Sequence, residues 1–413
     1  MIETPKGLRL HIGIYGRRNV GKSSLLNALA GQEVSIVSQY PGTTTDPVEK
    51  TQELAPVGPV VFIDTAGIDD EGALGELRKE RTLQVLDRTE VALVVTEANQ
   101  WGEYEERLTF LLAARKIPFA VVFNKEDLHT PSVERIASLR NAGIRTVNAS
   151  AILARGIEEI KITIAELAPE DWFEKPRLLG DLLSAGDLVF LVVPIDLGAP
   201  KGRLILPQVQ AIRDILDSDA SCLVVKEREY KDALMGQPRT PKLVVCDSQV
   251  VLKAAGDTPP EVLLTTFSIL MARFKGDLNR FAQGVTAIES LRPGDRVLIA
   301  ESCSHHPLAD DIGRVKIPRW LRQYAGGNLS IDNLAGRDFP EDLSLYKLIV
   351  HCGGCVANRK QMLARLYRAE RQNVPMTNYG LAISYVQGVL PRVLDPFPSA
   401  RDAYMSSLNE MIR

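Results

Sequence analysis

GRRNVGKS at residues 16–23, set between the apolar run LHIGIY at 10–15 and the helix-period stretch SLLNALAG at 24–31, decides the first fold of this chain. A glycine-bounded turn between a strand and a helix lets the backbone N–H groups of Asn19, Val20, Gly21, Lys22, Ser23 and Ser24 converge on a phosphate at a helix N-terminus. Lys22 is then placed to neutralise the β/γ oxygens, and Ser23 to hold magnesium. Taken alone, the pattern could be no more than a glycine-rich strand–helix turn.

The motifs that follow, in order and at strand ends, exclude that reading. DTAG at 64–67 comes after VVFI, which puts Asp64 near magnesium and the Gly67 N–H near a γ-phosphate. NKED at 124–127 comes after FAVVF. Its Asn124 and Lys125 frame a base, and Asp127 can accept from the N1–H and the exocyclic amine of guanine, a pair of donors that adenine lacks. Ser150 and Ala151, after RTVN, complete the base pocket, so the nucleotide expected is GTP. PGTTTDP at 41–47 is the natural first switch, with Thr44 completing the magnesium shell and Thr43 and Thr45 as alternatives. This set resembles the translation-factor-like GTPases related to Era and to the tRNA-modifying GTPase MnmE, whose equivalent stretch reads PGTTRD. In that subgroup an asparagine at the position of Asn19 binds a potassium ion that takes the role of an arginine finger, while a plain loop-capping residue is the alternative reading of Asn19. Ile68 follows DTAG, so no glutamine stands there to orient water, and intrinsic hydrolysis is expected to be slow.

Length and composition bound the rest. The 413 residues suggest two to four domains, and 45% hydrophobic with 24% charged residues is ordinary for a soluble globular protein. A net charge of −3 gives no global field toward nucleic acid or anionic lipid. No signal pattern and no apolar run near the ~20 residues of a bilayer span are evident, so a cytoplasmic location without membrane contact is expected. The fold class expected is α/β in three domains: a phosphate-loop GTPase at 1–170, then smaller, mostly parallel units at 178–262 and 263–413. The stretch LAPEDWFEKPRLL at 167–179 reads as a linker and FSILMARFKGDLNRFAQG at 267–284 as helical.

CSHH at 303–306 and HCGGC at 351–355 gather three of the five cysteines and three of the five histidines. Cys303 follows the strand-like RVLIAE, and Cys352 and Cys355 follow YKLIVH. If these strands are parallel members of one sheet, the thiols open onto one crevice. Three readings are open: buried packing, a closed zinc site of three cysteines and a histidine, or a 4Fe-4S cluster on Cys303, Cys352 and Cys355 with one iron open. His305, His306 and His351 are candidates for the fourth ligand or for positions near the cluster. Glu301, Asp310 and Asp311 are acidic neighbours within reach of an open iron, though the first reading for them is solvated, while Cys222 and Cys246 lie in apolar strands and read as core.

A Cys-x-His segment followed tens of residues later by His-Cys-x-x-Cys, behind an Era-like domain and a middle α/β domain, resembles the FeFe-hydrogenase maturation GTPases, the HydF family. The resemblance spans the chain. It implies a GTPase domain, a dimerisation domain and a cluster-binding domain, in a homodimeric scaffold that carries a transient di-iron precursor. The implied partners are two radical-SAM maturation enzymes and the apo FeFe-hydrogenase, with no nucleic acid. The competing reading is a potassium-dependent GTPase of RNA modification or ribosome assembly with a C-terminal zinc site.

Overall fold

The computed structural model describes residues 4–30, 48–64, 83–98, 100–169, 172, 177–194, 204–302, 311–336 and 339–412. The chain divides into two compact units, Met1–Lys175 and Pro176–Arg413.

In the first unit, β1 (Leu10–Tyr15), β2 (Val48–Leu54), β3 (Gly58–Asp64), β4 (Val91–Glu97), β5 (Phe119–Asn124) and β6 (Arg145–Asn148) form one sheet in the order β2-β3-β1-β4-β5-β6. Neighbours are parallel except β2, which runs antiparallel to β3 at the edge. The central strands are buried on both faces, which explains their unbroken apolar sequences. Leu10, Ile12 and Ile14 share one core with Leu25 and Leu29, while Tyr15, Val61, Ile63 and Phe123 belong to another. Register then places the chemistry. Ile14 lies opposite Asp64, Glu97 opposite Asn124 and Phe123 opposite Asn148, so the nucleotide motifs leave the sheet along one edge.

The second unit holds two four-stranded sheets, all parallel. β7 (Leu188–Val192), β8 (Ser221–Val225), β9 (Leu243–Cys246) and β10 (Leu263–Thr266) are ordered β10-β9-β7-β8. β11 (Arg296–Glu301), β12 (Ser330–Ala335), β13 (Leu348–His351) and β14 (Met376–Asn378) are ordered β12-β11-β13-β14. One apolar core runs from Leu178 to Tyr404 and takes residues from both sheets. The boundary expected at residue 262 falls just before β10, which pairs with β9 and extends the middle sheet. The helix expected over 267–284 is two helices, Phe267–Lys275 and Leu278–Gly284. Gly276 leaves helical geometry between them, and the Asp277 side chain caps the second helix by accepting from the Arg280 N–H at 3.2 Å. β11 and β13 are parallel neighbours, as the crevice expectation required.

Gly284 shows how closely these layers meet. A Cβ on it would lie 2.1 Å from the backbone oxygen of Met376 in β14, and backbone cannot swing aside as a side-chain tip can. Gly284→Ala is therefore expected to destabilise the second unit by about 1–3 kcal/mol. Urea unfolding checks this, through a lower midpoint at unchanged slope.

Candidate functional site

The first unit brings the phosphate loop, Asp64 and the NKED segment to neighbouring strand ends. The loop after β1 turns through Asn19 (φ 64°) and Gly21 (φ 90°) into the helix Lys22–Ala30, whose Leu25 N–H donates to the Gly21 carbonyl. A Cβ on Gly21 would lie 2.3 Å from Asn124 Nδ2, so the two motifs are in direct apposition. Asn124 binds them together: its Nδ2 donates to the Val20 carbonyl at 2.8 Å, and its Oδ1 accepts from the Ala151 N–H at 3.1 Å. Lys22 Nζ donates to the carbonyls of Gly16 and Arg17 at 2.8 and 2.7 Å, which holds the ammonium inside the loop. Lys125 pairs with Glu97 at 2.5 Å, and Asp127 is exposed two residues further on. Ser150 is buried and accepts from the Leu153 N–H, while Ser24 and Asn19 are exposed.

Ser23 Oγ donates to Asp64 Oδ2 at 3.1 Å, which unites two of the three expected magnesium groups. Burial raises the Asp64 carboxyl above its ordinary range, opposed by the Ser23 hydrogen bond and by the charges of Lys22 and Lys50. A divalent cation would relieve that burial cost. Thr43, Thr44, Thr45, Gly67 and Ile68 lie outside the described residues.

At the carboxyl end of β13, Cys352 and Cys355 are both half-buried. The Cys352 N–H donates to the Ala300 carbonyl of β11 at 2.9 Å, and Cys352 Sγ accepts from the Ser302 N–H at 3.2 Å. Ser302, the residue before Cys303 in sequence, thus meets Cys352 across neighbouring strand ends. Burial pushes both thiols up; N–H groups of Gly354 and Ser302 oppose this at Cys352, and the Lys275 charge opposes it at Cys355. Gly354 sits at φ 63°, and a Cβ there would lie 2.4 Å from Met362 Cε, so glycine suits the turn between the cysteines.

His351 is fully buried, with Nδ1 2.7 Å from the Cys352 carbonyl and Nε2 2.8 Å from Arg365 Nη1. Both ring nitrogens are engaged, so in this arrangement neither is presented to a metal. Burial, reinforced by the Arg365 charge, lowers its pKa to about 3. Glu301 departs from its solvated reading. It is buried and accepts from Tyr379 Oη at 3.2 Å, with Arg314 Nε 4.0 Å away. Asp311 caps the turn Ile312–Lys316 by accepting from the Arg314 N–H. Cys246 is buried core and Cys222 is half-buried. Cys303, His305, His306 and Asp310 lie outside the described residues, among which no group of three metal-binding side chains occurs.

Several contributors carried no sequence signal. Arg365 is one of five basic residues in the helix Arg359–Arg371, and only its 4% exposure sets it apart. Arg17, a variable position of the phosphate loop, forms a two-pronged ion pair with the buried Glu105 at 2.8 and 2.9 Å.

With this geometry in place, comparison with known proteins is decisive for the second unit. Residues 178–276 match the hydrogen maturase F dimerization domain, and residues 263–396 match the hydrogen maturase F tetramerization domain. The chain belongs to the hydrogen maturase F family. In its first unit, residues 11–125 match the 50S ribosome-binding GTPase model. Both C-terminal domains of this hydrogen maturase F chain support oligomer formation.

Among curated proteins, the GTPase Der of Wolinella succinogenes is 37% identical over 138 residues, covering 32% of this chain and 29% of that protein. The tRNA modification GTPase MnmE of Geobacillus thermodenitrificans is 37% identical over 181 residues, covering 43% of this chain and 36% of that protein. The chain thus spans about a third of the length of these relatives. A solved variant of the Era GTPase of Aquifex aeolicus, bound to GDP and aluminium fluoride, is 22% identical, covers 55% of this chain and 97% of that one, and gives a TM-score of 0.35. No helix among the described residues is long and apolar enough to cross a membrane.

Two outcomes are expected at the nucleotide pocket. Asn124→Ala removes two hydrogen bonds worth about 1 kcal/mol each, a loss of roughly 30-fold in GDP affinity by fluorescence titration. At Asp64 the raised pKa makes ionisation unfavourable to the folded, nucleotide-free protein, so stability is lost as pH rises through that value. Asp64→Asn should accordingly raise the melting temperature of the nucleotide-free chain at neutral pH. It should also weaken magnesium binding by about 10–100-fold.

Proposed function

We propose that this chain is a GTP-hydrolysing iron–sulfur scaffold that assembles or delivers a di-iron precursor to an apo FeFe-hydrogenase, working with radical-SAM maturation enzymes. One observation carries the reading. In a hydrogen maturase F chain with a GTPase-model match, Cys352 and Cys355 lie half-buried at the carboxyl end of a parallel strand, and the N–H of Ser302, the residue before Cys303 in sequence, meets Cys352 Sγ at 3.2 Å.

The residues fit a 4Fe-4S cluster. Soft thiolates select iron–sulfur or zinc, N–H groups aimed at sulfur favour the thiolate form, and glycines leave room for a bulky inorganic core. Cys303, Cys352 and Cys355 would hold it. A cluster held by three thiolates supplies an iron with an open position, to which a further metal fragment can attach. His305 and His306 are the histidines proposed near that position, with His351 behind Cys352.

GTP hydrolysis is assigned to charge placement with little covalent work by the protein. Lys22 meets the phosphates, and Ser23, Thr44 and Asp64 hold magnesium, while Gly67 senses the γ-phosphate. Asn19, exposed at φ 64° in the phosphate loop, is proposed to bind a stimulating potassium ion. Loss of the γ-phosphate is proposed to change partner affinity and not cluster redox state.

Anaerobic reconstitution followed by metal analysis tests the scaffold. About four irons and four sulfides per chain are expected by the thiolate ligation rules, with a reduced-cluster EPR signal lost in Cys352→Ser and Cys355→Ser. Stoichiometric zinc that resists replacement by iron would sink the reading in favour of a GTPase with a closed zinc site. For the potassium assignment, replacing potassium by sodium should slow GTP turnover by about tenfold or more, consistent with lost charge stabilisation. Asn19→Ala should remove the difference between the two salts, and equal rates in both salts for the unaltered chain would refute the assignment.

A further inference from the structure

Arg365 lies inside the helix Arg359–Arg371 and is 4% exposed, directly against the fully buried ring of His351. Its Nη1 is 2.8 Å from His351 Nε2, its Nη2 donates to the Gly336 carbonyl at 3.1 Å, and its guanidinium stands 5.1 Å from the centre of the Phe339 ring. A guanidinium can only donate, so Nε2 must accept. The Cys352 carbonyl can only accept, so Nδ1, 2.7 Å away, must carry the ring proton. The two partners thus fix a neutral ring in a single tautomer. Beyond that carbonyl, Cys352 is held by its N–H to Ala300 and by the Ser302 N–H at its sulfur. A continuous line of hydrogen bonds runs from a buried cation to the peptide of a cluster cysteine.

We propose that Arg365 and His351 are positioning residues for the cysteine site, a buried relay that fixes the Cys352 peptide and holds one positive charge behind it, with His351 serving in this relay and not as an iron ligand. The inference rests on the iron–sulfur reading given above. Partners that orient a ligand residue and set its electrostatic surroundings tune a metal centre without touching it. A cation behind the cysteines favours the more negative, reduced cluster, so the relay raises the reduction potential.

The relay geometry is tested first on the full-length, metal-free chain labelled with ¹⁵N-histidine. One ring, identified by its loss in His351→Gln, is expected as a single neutral Nδ1–H tautomer, and Arg365→Met should shift its Nε2 resonance while the Nδ1–H bond to the Cys352 carbonyl persists. An Nε2–H tautomer at His351 in the unaltered chain would overturn the relay, whether or not iron is taken up. On reconstituted protein, EPR-monitored titration should give a lower midpoint potential for Arg365→Met than for the unaltered chain, with Arg365→Lys restoring most of the difference. Should Arg365→Met fail to fold, His351→Gln is expected to shift the midpoint in the same direction. Unchanged midpoints at full iron content would refute the charge role. Pulsed EPR of labelled protein completes the test: His351→Gln should leave any directly bonded nitrogen coupling intact, and loss of such a coupling would make His351 a ligand. If the unaltered chain takes up no iron, the cluster reading fails, while the tautomer still decides the relay.

Discussion

Parallel strand pairing is the constraint on which both candidate sites depend. Parallel strands need crossover connections, and each connection leaves from the same edge of its sheet. In the first unit this delivers the end of β3 and the loops after β1, β5 and β6 to one place, although 102 positions of sequence (124 − 22) separate Lys22 from Asn124 at the end of β5. In the second unit it brings the ends of β11 and β13 side by side, so that a backbone N–H beside Cys303 reaches the sulfur of Cys352. Neither arrangement needs long-range side-chain recognition to form. The apolar interiors of the strands enforce register, and register places the chemistry.

Polar contacts then refine what the sheets deliver. Asn124 is the clearest case, because a single amide ties the phosphate loop to the base loop through one donor and one acceptor. Arg17 and Glu105 brace the other side of the phosphate loop from the helix Glu103–Ala114. A buried carboxylate such as Glu105 is costly unless paired, so the loop and the helix hold one another in place. Around the cysteines, Ser302, Gly354 and Arg365 do comparable work from three separate segments.

Much of this was legible in the chain. The phosphate loop, DTAG and NKED each sit where a strand ends, because the apolar runs that identify strands also locate their ends. CSHH and HCGGC likewise flag β11 and β13. The edges were harder to read: β2 is the polar stretch VEKTQEL, and β12 is SIDNLA, since edge strands lack the two buried faces that make central ones conspicuous. β10 and β14, four and three residues long, are too short to show a period. Gly276 interrupts an apolar pattern that otherwise continues, so periodicity alone joined two helices into one. Glu301 and Arg365 were unreadable for a different reason: burial of a charged residue depends on neighbours that come from distant parts of the chain.

The strand β10 and the helix Phe267–Lys275 lie where the dimerization and tetramerization matches overlap, between residues 263 and 276. The strand completes one sheet, and the helix supplies Met271, whose side chain lies against Gly353 between the two cysteines of the other. This stretch is common property, a party wall and not a hinge. A fragment cut at 262 would lose an edge strand of the middle sheet, and one cut at 276 would strip the cysteine turn of its backing. Neither half of this unit is therefore a self-contained piece, because each depends on the same stretch for its packing.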